Sequence, residues 1–302
     1  MNYSSDSLID TIRLRAGIPA QALVSNAQIL EAINYELRQT ILPMVIEAGA
    51  EYYVTFEDFE ITTEGIYKIP ALAVGKKLRD IQIVDGQTDP NLRNSISIIP
   101  QMTISNIPQN YIYNQQYTGQ RGFVVMGNTI RIIPPNVPIQ GNYLRMYYYR
   151  RPNECVPVSE GSTITVTSST QFTVPSVPSG FGATPTIDIL QSIPSFDIVE
   201  SGLAATVAGV TFTVSSTANM TTEDKVNLTG ETSYPQMPVD LQNMLIQSVC
   251  MRMYEITRDQ TRLTLASQMY DKMKSNTLKL ISPRVDGRPV KITSNNGISN
   301  FI

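Results

Sequence analysis

The sequence predicts an α+β protein: a helical bundle formed by the N- and C-terminal helices, a central β-domain, and an inserted small β-sandwich or barrel. Three observations predict it. Apolar residues recur at helical spacing at both ends of the chain. The period changes to alternation after residue 50. Near Pro157 the composition shifts to Ser, Thr, Val, Gly and Pro, and Lys225 is the only basic residue from there to about Tyr234. At 302 residues the chain is long enough for two or so domains.

Residues 4 to 16 read as a short helix, capped by Ser5 or Asp6, with Leu8, Ile9, Ile12 and Leu14 at apolar positions. Gly17 and Pro19 end it. A second helix opens at Ser25 or Asn26. Ile29, Ile33, Leu37, Ile41 and Val45 recur every fourth residue, and Glu31, Asn34, Arg38 and Gln39 take the outer face. Pro43 falls inside this pattern and should kink or divide the helix, and Gly49 should end it. "YYVTFEDFEI" and "GIYKIP" read as strands joined by a turn at "TTEG", followed by "LRDIQIVDG". Residues 87 to 121 read mostly as loop. "GFVVMGNTIRIIPP" is the clearest hairpin, turning at Gly127-Asn128, and "GNYLRMYYYRRP" is a further strand.

Between Pro157 and Tyr234, short β-type runs such as "STITVTSSTQFTVP" and "TPTIDIL" are separated by turn residues at intervals of roughly ten, the pattern of a small sandwich or barrel. Helical periodicity resumes directly afterwards, which marks the segment as an insertion. Pro238 fits a first helical position. Leu241, Met244, Leu245, Ser248, Val249, Arg252 and Ile256 then make one face, and Leu263, Ala266, Met269, Tyr270, Met273, Thr277 and Leu280 a second. "TRDQT" between them is a break or an exposed turn of one long helix. The expected division is 1–50 with 236–282 as the bundle, 51–157 as the β-domain, 158–235 as the insertion and 283–302 as an extended arm. The expected helical core includes Ile29, Ile33, Leu37 and Ile41 from the first half, and Leu241, Leu245, Val249 and Ile256 from the second, because neither stripe is covered by its own helix.

The chemistry is sparse. There is no histidine, which removes the commonest general base and metal ligand. Cys155 and Cys250 are too far apart in sequence to suggest a zinc or disulfide framework. "GFGATP" at Gly180 lacks the third glycine of a dinucleotide fingerprint and no helix follows, while Gly75-Lys76-Lys77 lacks the frame of a phosphate loop and reads as a solvated loop. Glu57, Asp58 and Glu60, three acids on one strand, read as a solvated edge. Asp188, Asp197 and Glu223-Asp224 are acidic positions on turns without the ligand density of a calcium loop. Tyr111, Tyr113 and Tyr117, and Tyr147 to Tyr149 beside Arg150-Arg151, suit protein packing or an interface better than nucleic-acid stacking, since the net charge is −3. Neither a signal peptide nor a membrane span is expected, so the sequons at Asn2, Asn219 and Asn227 carry no weight.

The ordered set "LIDTIRLRAGIPAQALVSNAQILEAINYELRQTILPMVIEAGAEYYV", "YYYRRPNECVP", "YPQMPVDLQNMLIQSVCMRMYE" and "SPRVDGRPVKI" resembles the head-to-tail adaptor proteins of tailed bacteriophages, also called connector or tail-tube gatekeeper proteins. The resemblance covers roughly residues 4 to 60 and 143 to 292; the insertion departs from the minimal adaptor. It implies a homo-oligomeric ring, commonly of about twelve subunits, whose cyclic closure requires two different complementary faces on each subunit. It implies a virion protein, assembled in the host cytoplasm and placed in the neck between capsid and tail. Its partners would be the portal protein, the tail tube or nozzle, tail fibres, and genomic DNA passing through the channel without sequence-specific binding. No membrane, cofactor or metal is implied, and no enzymatic activity. The other readings are a host-surface or fibre-docking β-module protein of the tail and, third, a hydrolase that degrades the cell wall.

On this reading the C-terminal segment is an arm that contacts the portal or a neighbouring subunit. Pro283 and Pro289 stop the helix. Val285, Val290, Ile292, Phe301 and Ile302 supply apolar anchors, and Arg284, Arg288 and Lys291 supply charge.

Overall fold

The computed structural model describes residues 4–18, 24–48, 51–102, 121–133, 142–191 and 198–281. It is mixed α and β, with several antiparallel sheets. Among the described residues no helix is long and apolar enough to cross a membrane.

Helix α1 (Ser5–Ala16) starts from Ser4, whose Oγ accepts the Ser7 N–H. The cap therefore lies one residue before the expected Ser5 or Asp6. The reason is that Ser5 is already helical and spends its hydroxyl on Val156 O, 2.7 Å away. Gly17, at φ +64°, ends α1 in the left-handed conformation that costs glycine least. Leu14, expected in the apolar stripe, is 85% exposed; Leu8, Ile9 and Ile12 carry the buried face without it.

Helix α2 (Asn26–Glu36) opens with a capping box between Ser25 and Gln28. It continues through a π-helical turn, Leu37–Ile41, into α3 (Leu42–Glu47). The disturbance expected at Pro43 takes this form. A proline cannot donate to the carbonyl four residues back and its ring crowds that carbonyl. The widened turn, in which Leu42 N–H reaches back to Leu37 O, relieves both problems upstream of Pro43. Asn34 is not on the outer face as expected. Its side chain is buried and bonds the backbone of Cys155 twice, Nδ2 to O at 2.9 Å and Oδ1 from N–H at 2.7 Å.

At the other end, a 3-10 turn (Val239–Leu241) separates Pro238 from α4 (Gln242–Thr257), so Pro238 precedes that turn instead of opening the helix. Arg258, at φ +58°, breaks the rod before α5 (Gln260–Ile281). One core joins both ends of the chain, with Leu8, Ile12, Ile29, Ile33, Leu37 and Ile41 against Leu241, Leu245 and Val249. Ile256 is a correction: it is 52% exposed. It keeps the angular position of the α4 stripe but lies beyond the first turn of α2, where no helix covers it; Ala27 and Gln28 flank the depression it lines. Met253 is the last fully buried residue of that stripe.

The described strands from residue 54 to residue 150 fall into two sheets. β1 (Val54–Glu60), β7 (Tyr143–Arg150), β3 (Ala73–Val84) and β4 (Ser95–Ile98) form one, in the order β1-β7-β3-β4. β2 (Ile66–Lys68), β6 (Thr129–Ile133) and β5 (Gly122–Met126) form the other. β1 and β2 are consecutive yet belong to different sheets. β5 and β6 make the expected hairpin, with Gly127 at φ +61°. Ile81, Ile83, Leu144 and Met146 of the first sheet share a core with Tyr67, Phe123, Ile130 and Ile132 of the second. Gly75-Lys76 is a bulge within β3, between the pairs Ala73–Arg150 and Leu78–Tyr148, where a loop had been expected.

β8 (Glu154–Cys155) and β17 (Glu231–Thr232) pair in parallel and set the entry and exit of the insertion side by side. Within it, β9 (Ser162–Thr163), β12 (Thr186–Leu190), β13 (Ile198–Ala204) and β16 (Lys225–Leu228) form a sheet in the order β13-β12-β16-β9. β10 (Thr165–Ser168), β11 (Gln171–Thr173), β14 (Thr206–Ala208) and β15 (Thr211–Thr213) form a second, in the order β10-β11-β15-β14. Ile187, Ile189 and Val226 from one sheet and Phe172 and Phe212 from the other share a third core. The two phenylalanine rings stack with centroids 5.0 Å apart.

Candidate functional site

Two buried carboxylates of the described chain, Asp58 and Asp188, are committed to holding the fold. Asp58 is the centre of one cluster. Its side chain is 8% exposed, and it accepts from Arg145 Nε and Nη2 and from Arg93 Nη1, each at 2.8 Å. Arg145 also bonds Pro90 O, and Arg93 bonds Gln87 O at 2.7 Å, so the loop after β3 is pinned to the sheet. The guanidinium of Arg93 lies 3.5 Å from the centroid of Tyr143, and that of Arg145 lies 3.9 Å from Phe56. Asp58 is thus not the solvated edge residue expected. Glu57, on the opposite face of β1, has its carboxyl pushed above the usual range by burial.

A second cluster ties the insertion to the body. Asp188, fully buried on β12, accepts from Asn153 Nδ2 (2.7 Å), Gly202 N–H (2.7 Å), Gly230 N–H (3.0 Å) and Ser201 Oγ (3.1 Å). Arg150 Nη2 is 4.0 Å from the same carboxylate. The residue therefore sits in a strand and serves backbone and side-chain donors, not a calcium loop. Asp224 likewise holds its own turn through Thr221; Asp197 lies outside the described residues. Among the described residues no group of three or more His, Cys, Asp or Glu side chains could hold a metal ion.

The thiols are unreactive by environment. Burial pushes Cys155 up to about 12 and Cys250 to about 11. The tyrosine-arginine run does not form a stacking platform: Tyr148 is in the β-domain core, Tyr147 packs against Phe56 at 5.8 Å, and Arg150 faces Asp188. Tyr111, Tyr113 and Tyr117, and the arm residues from Arg284 to Ile302, lie outside the described residues.

Among the described residues, two grooves of the bundle expose apolar side chains. The first, about 670 Å³, runs between α2 and the end of α4 and is floored by Cys155 and Val156. Tyr35 is 46% and Ile256 52% exposed there. The Arg252 guanidinium stacks 3.8 Å above the Tyr35 ring and lies 3.7 Å from Glu36. Arg38 pairs with Glu154 at 3.3 Å. Glu31 and Glu160 complete the lining.

The second groove, about 550 Å³, lies between the end of α1, the outer side of α4 and α5. Leu265 and Met269 are each 58% exposed. Its walls are set by the Tyr254 hydroxyl donating to Arg15 O (3.3 Å), Arg262 Nη1 donating to Ala16 O (3.2 Å) and Gln247 Nε2 donating to Ala266 O (3.1 Å). Neither groove pairs a nucleophile with a base. Exposed apolar and aromatic side chains rimmed by charge are what a protein partner covers. Sequence reading missed both grooves because their residues look like continuations of buried stripes; the helix break at Arg258 was the available signal.

No protein-family model matches the chain, and no curated protein sequence matches it.

Proposed function

We propose that this protein is a structural subunit of a tailed-bacteriophage virion. It forms a ring below the capsid portal, joins head to tail, continues the DNA channel and offers a docking platform for tail components. The observation that carries this reading is the bundle itself. The N-terminal helices and α4 close on one core while Tyr35, Ile256, Leu265 and Met269 stay exposed, as in a subunit completed by neighbours. The ordered resemblance to adaptor proteins supports it, and so does the commitment of Asp58 and Asp188 to structure instead of chemistry. The test is assembly of virions without this protein. DNA-filled heads should accumulate apart from tails; normally tailed particles would remove the proposal.

The insertion has its own core and only one basic residue, Lys225, features that favour an outer platform for fibres or tail parts over a wall facing DNA. The parallel β8–β17 pair allows residues 158–229 to be replaced by a short glycine linker. Such a protein should still dock to the portal and lose attachment of tail components. The opposite pattern would place the insertion at the portal face.

A further inference from the structure

The two grooves lie on opposite sides of one helix. At about 100° per residue, Arg252 and Ile256 project from one side of α4, while Asn243, Gln247 and Tyr254 project about 180° away. Each set lines a different groove. The charges that remain are also opposite. Around the Tyr35–Ile256 groove, Arg38 is taken by Glu154 and Arg252 by Glu36, which leaves Glu31 and Glu160. Around the Leu265–Met269 groove Arg262 is taken by Asp259 at 3.3 Å, which leaves Arg15, and no acidic side chain is among the lining residues.

We infer that these grooves are the two halves of one contact: the Leu265–Met269 face of one copy docks in the Tyr35–Ile256 groove of the next. The partner is a second copy of this chain, because exposed Leu265 and Met269 have their complement in exposed Tyr35 and Ile256, and Arg15 has its complement in Glu31 and Glu160, on the other side of the same helix. Like surfaces meeting about a twofold axis would put arginine against arginine and glutamate against glutamate. A head-to-tail contact avoids that and repeats from subunit to subunit, closing into a ring where the rotation allows. The inference rests on the ring reading above and assigns the faces that make the ring.

The full-length chain carrying Tyr35→Cys and Met269→Cys tests it with a short bis-maleimide. Cys155 and Cys250 are buried and will not compete. The double variant should give a ladder of covalent multimers. Each single variant alone should stay monomeric, and a mixture of the two should give dimers. Arg15→Glu or Glu31→Arg in the double-cysteine background should each abolish the ladder, and the two together should restore it. No ladder, or self-dimers of a single variant, would overturn the inference. So would a ladder that appears only after truncation following Ser282, which would assign the groove to the chain's own C-terminal residues. The head-to-tail role is tested separately by virions lacking the protein. A ladder together with normally tailed particles would keep the contact and remove the neck role; no ladder together with unjoined heads and tails would do the reverse.

Discussion

Arg145 grips Asp58 with two parallel hydrogen bonds, Nε to Oδ1 and Nη2 to Oδ2, both 2.8 Å long. Arg93 adds a third on Oδ2. One carboxylate thus answers two guanidiniums whose side chains are each 6% exposed. Asp58→Ala would leave both buried without their counter-charge, at a cost of about 3–5 kcal/mol. Asp58→Asn, which keeps an acceptor, should lose less. Urea unfolding midpoints at unchanged slope measure the difference; a midpoint for Asp58→Ala equal to wild type would mean the cluster is not what holds the loop after β3.

That cluster also marks where sequence reading stops. Asp58 lies 35 residues from Arg93 and 87 from Arg145: the pairing of β1 with β7 sets it opposite Arg145, and the loop between β3 and β4 brings Arg93 to it. Local pattern sees three acids on one strand and reads an edge. By contrast, features set within one turn of chain were legible: the Ser25 cap, the Gly17 stop and the Gly127-Asn128 hairpin need only neighbouring residues. Leu14 and Ile256 failed for another reason. Periodicity gives the direction of a side chain but not whether a partner helix extends that far. The grooves followed from this second gap.

Leu245 is fully buried between the two ends of the chain. Leu245→Asp should place an unpaired charge there and cost several kcal/mol. Helical circular dichroism should melt at a much lower temperature. A fully helical variant with the wild-type melting temperature would contradict the packing of α4 on α1 and α2.

Asp188→Ala should loosen the insertion from the body. Four donors lose their acceptor, and Arg150, whose charge burial already disfavours, loses its nearest carboxylate. The cost should be about 3 kcal/mol or more. Amide exchange in β12 and β16 should accelerate while exchange in α4 changes little. Equal acceleration everywhere would show that the two parts do not unfold separately.

Glu231 carries the clearest pH signature. Burial, then Glu160 and Glu154, raise its carboxyl above the ordinary value, and Oε2 has no hydrogen-bond partner. A raised folded value means that the protonated form favours folding. That contribution is complete below the unfolded value of about 4.3 and is lost as pH rises through the folded value. Glu231→Gln should therefore raise the melting temperature slightly at pH 7, and the gain should shrink as pH falls into the carboxylate range. A gain that grows on acidification would reverse the assignment.

The C-terminal residues give the last prediction. Pro283 and Pro289 cannot continue α5, and the twenty residues from Pro283 to Ile302 would reach about 65 Å if extended. Val285, Val290, Ile292, Phe301 and Ile302 are apolar, and Arg284, Arg288 and Lys291 outweigh Asp286 in charge. We expect this segment to cover a surface of the portal or of a neighbouring subunit, with backbone pairing to a sheet edge as one means of attachment. A chain truncated after Ser282 should fold with unchanged melting temperature yet fail to join the portal in a pull-down or particle-assembly assay. Val290→Asp with Ile292→Asp in the full-length chain should weaken joining in the same direction, which separates loss of apolar anchors from loss of length. Docking of the truncated chain at wild-type level would reduce the segment to an ordinary chain end.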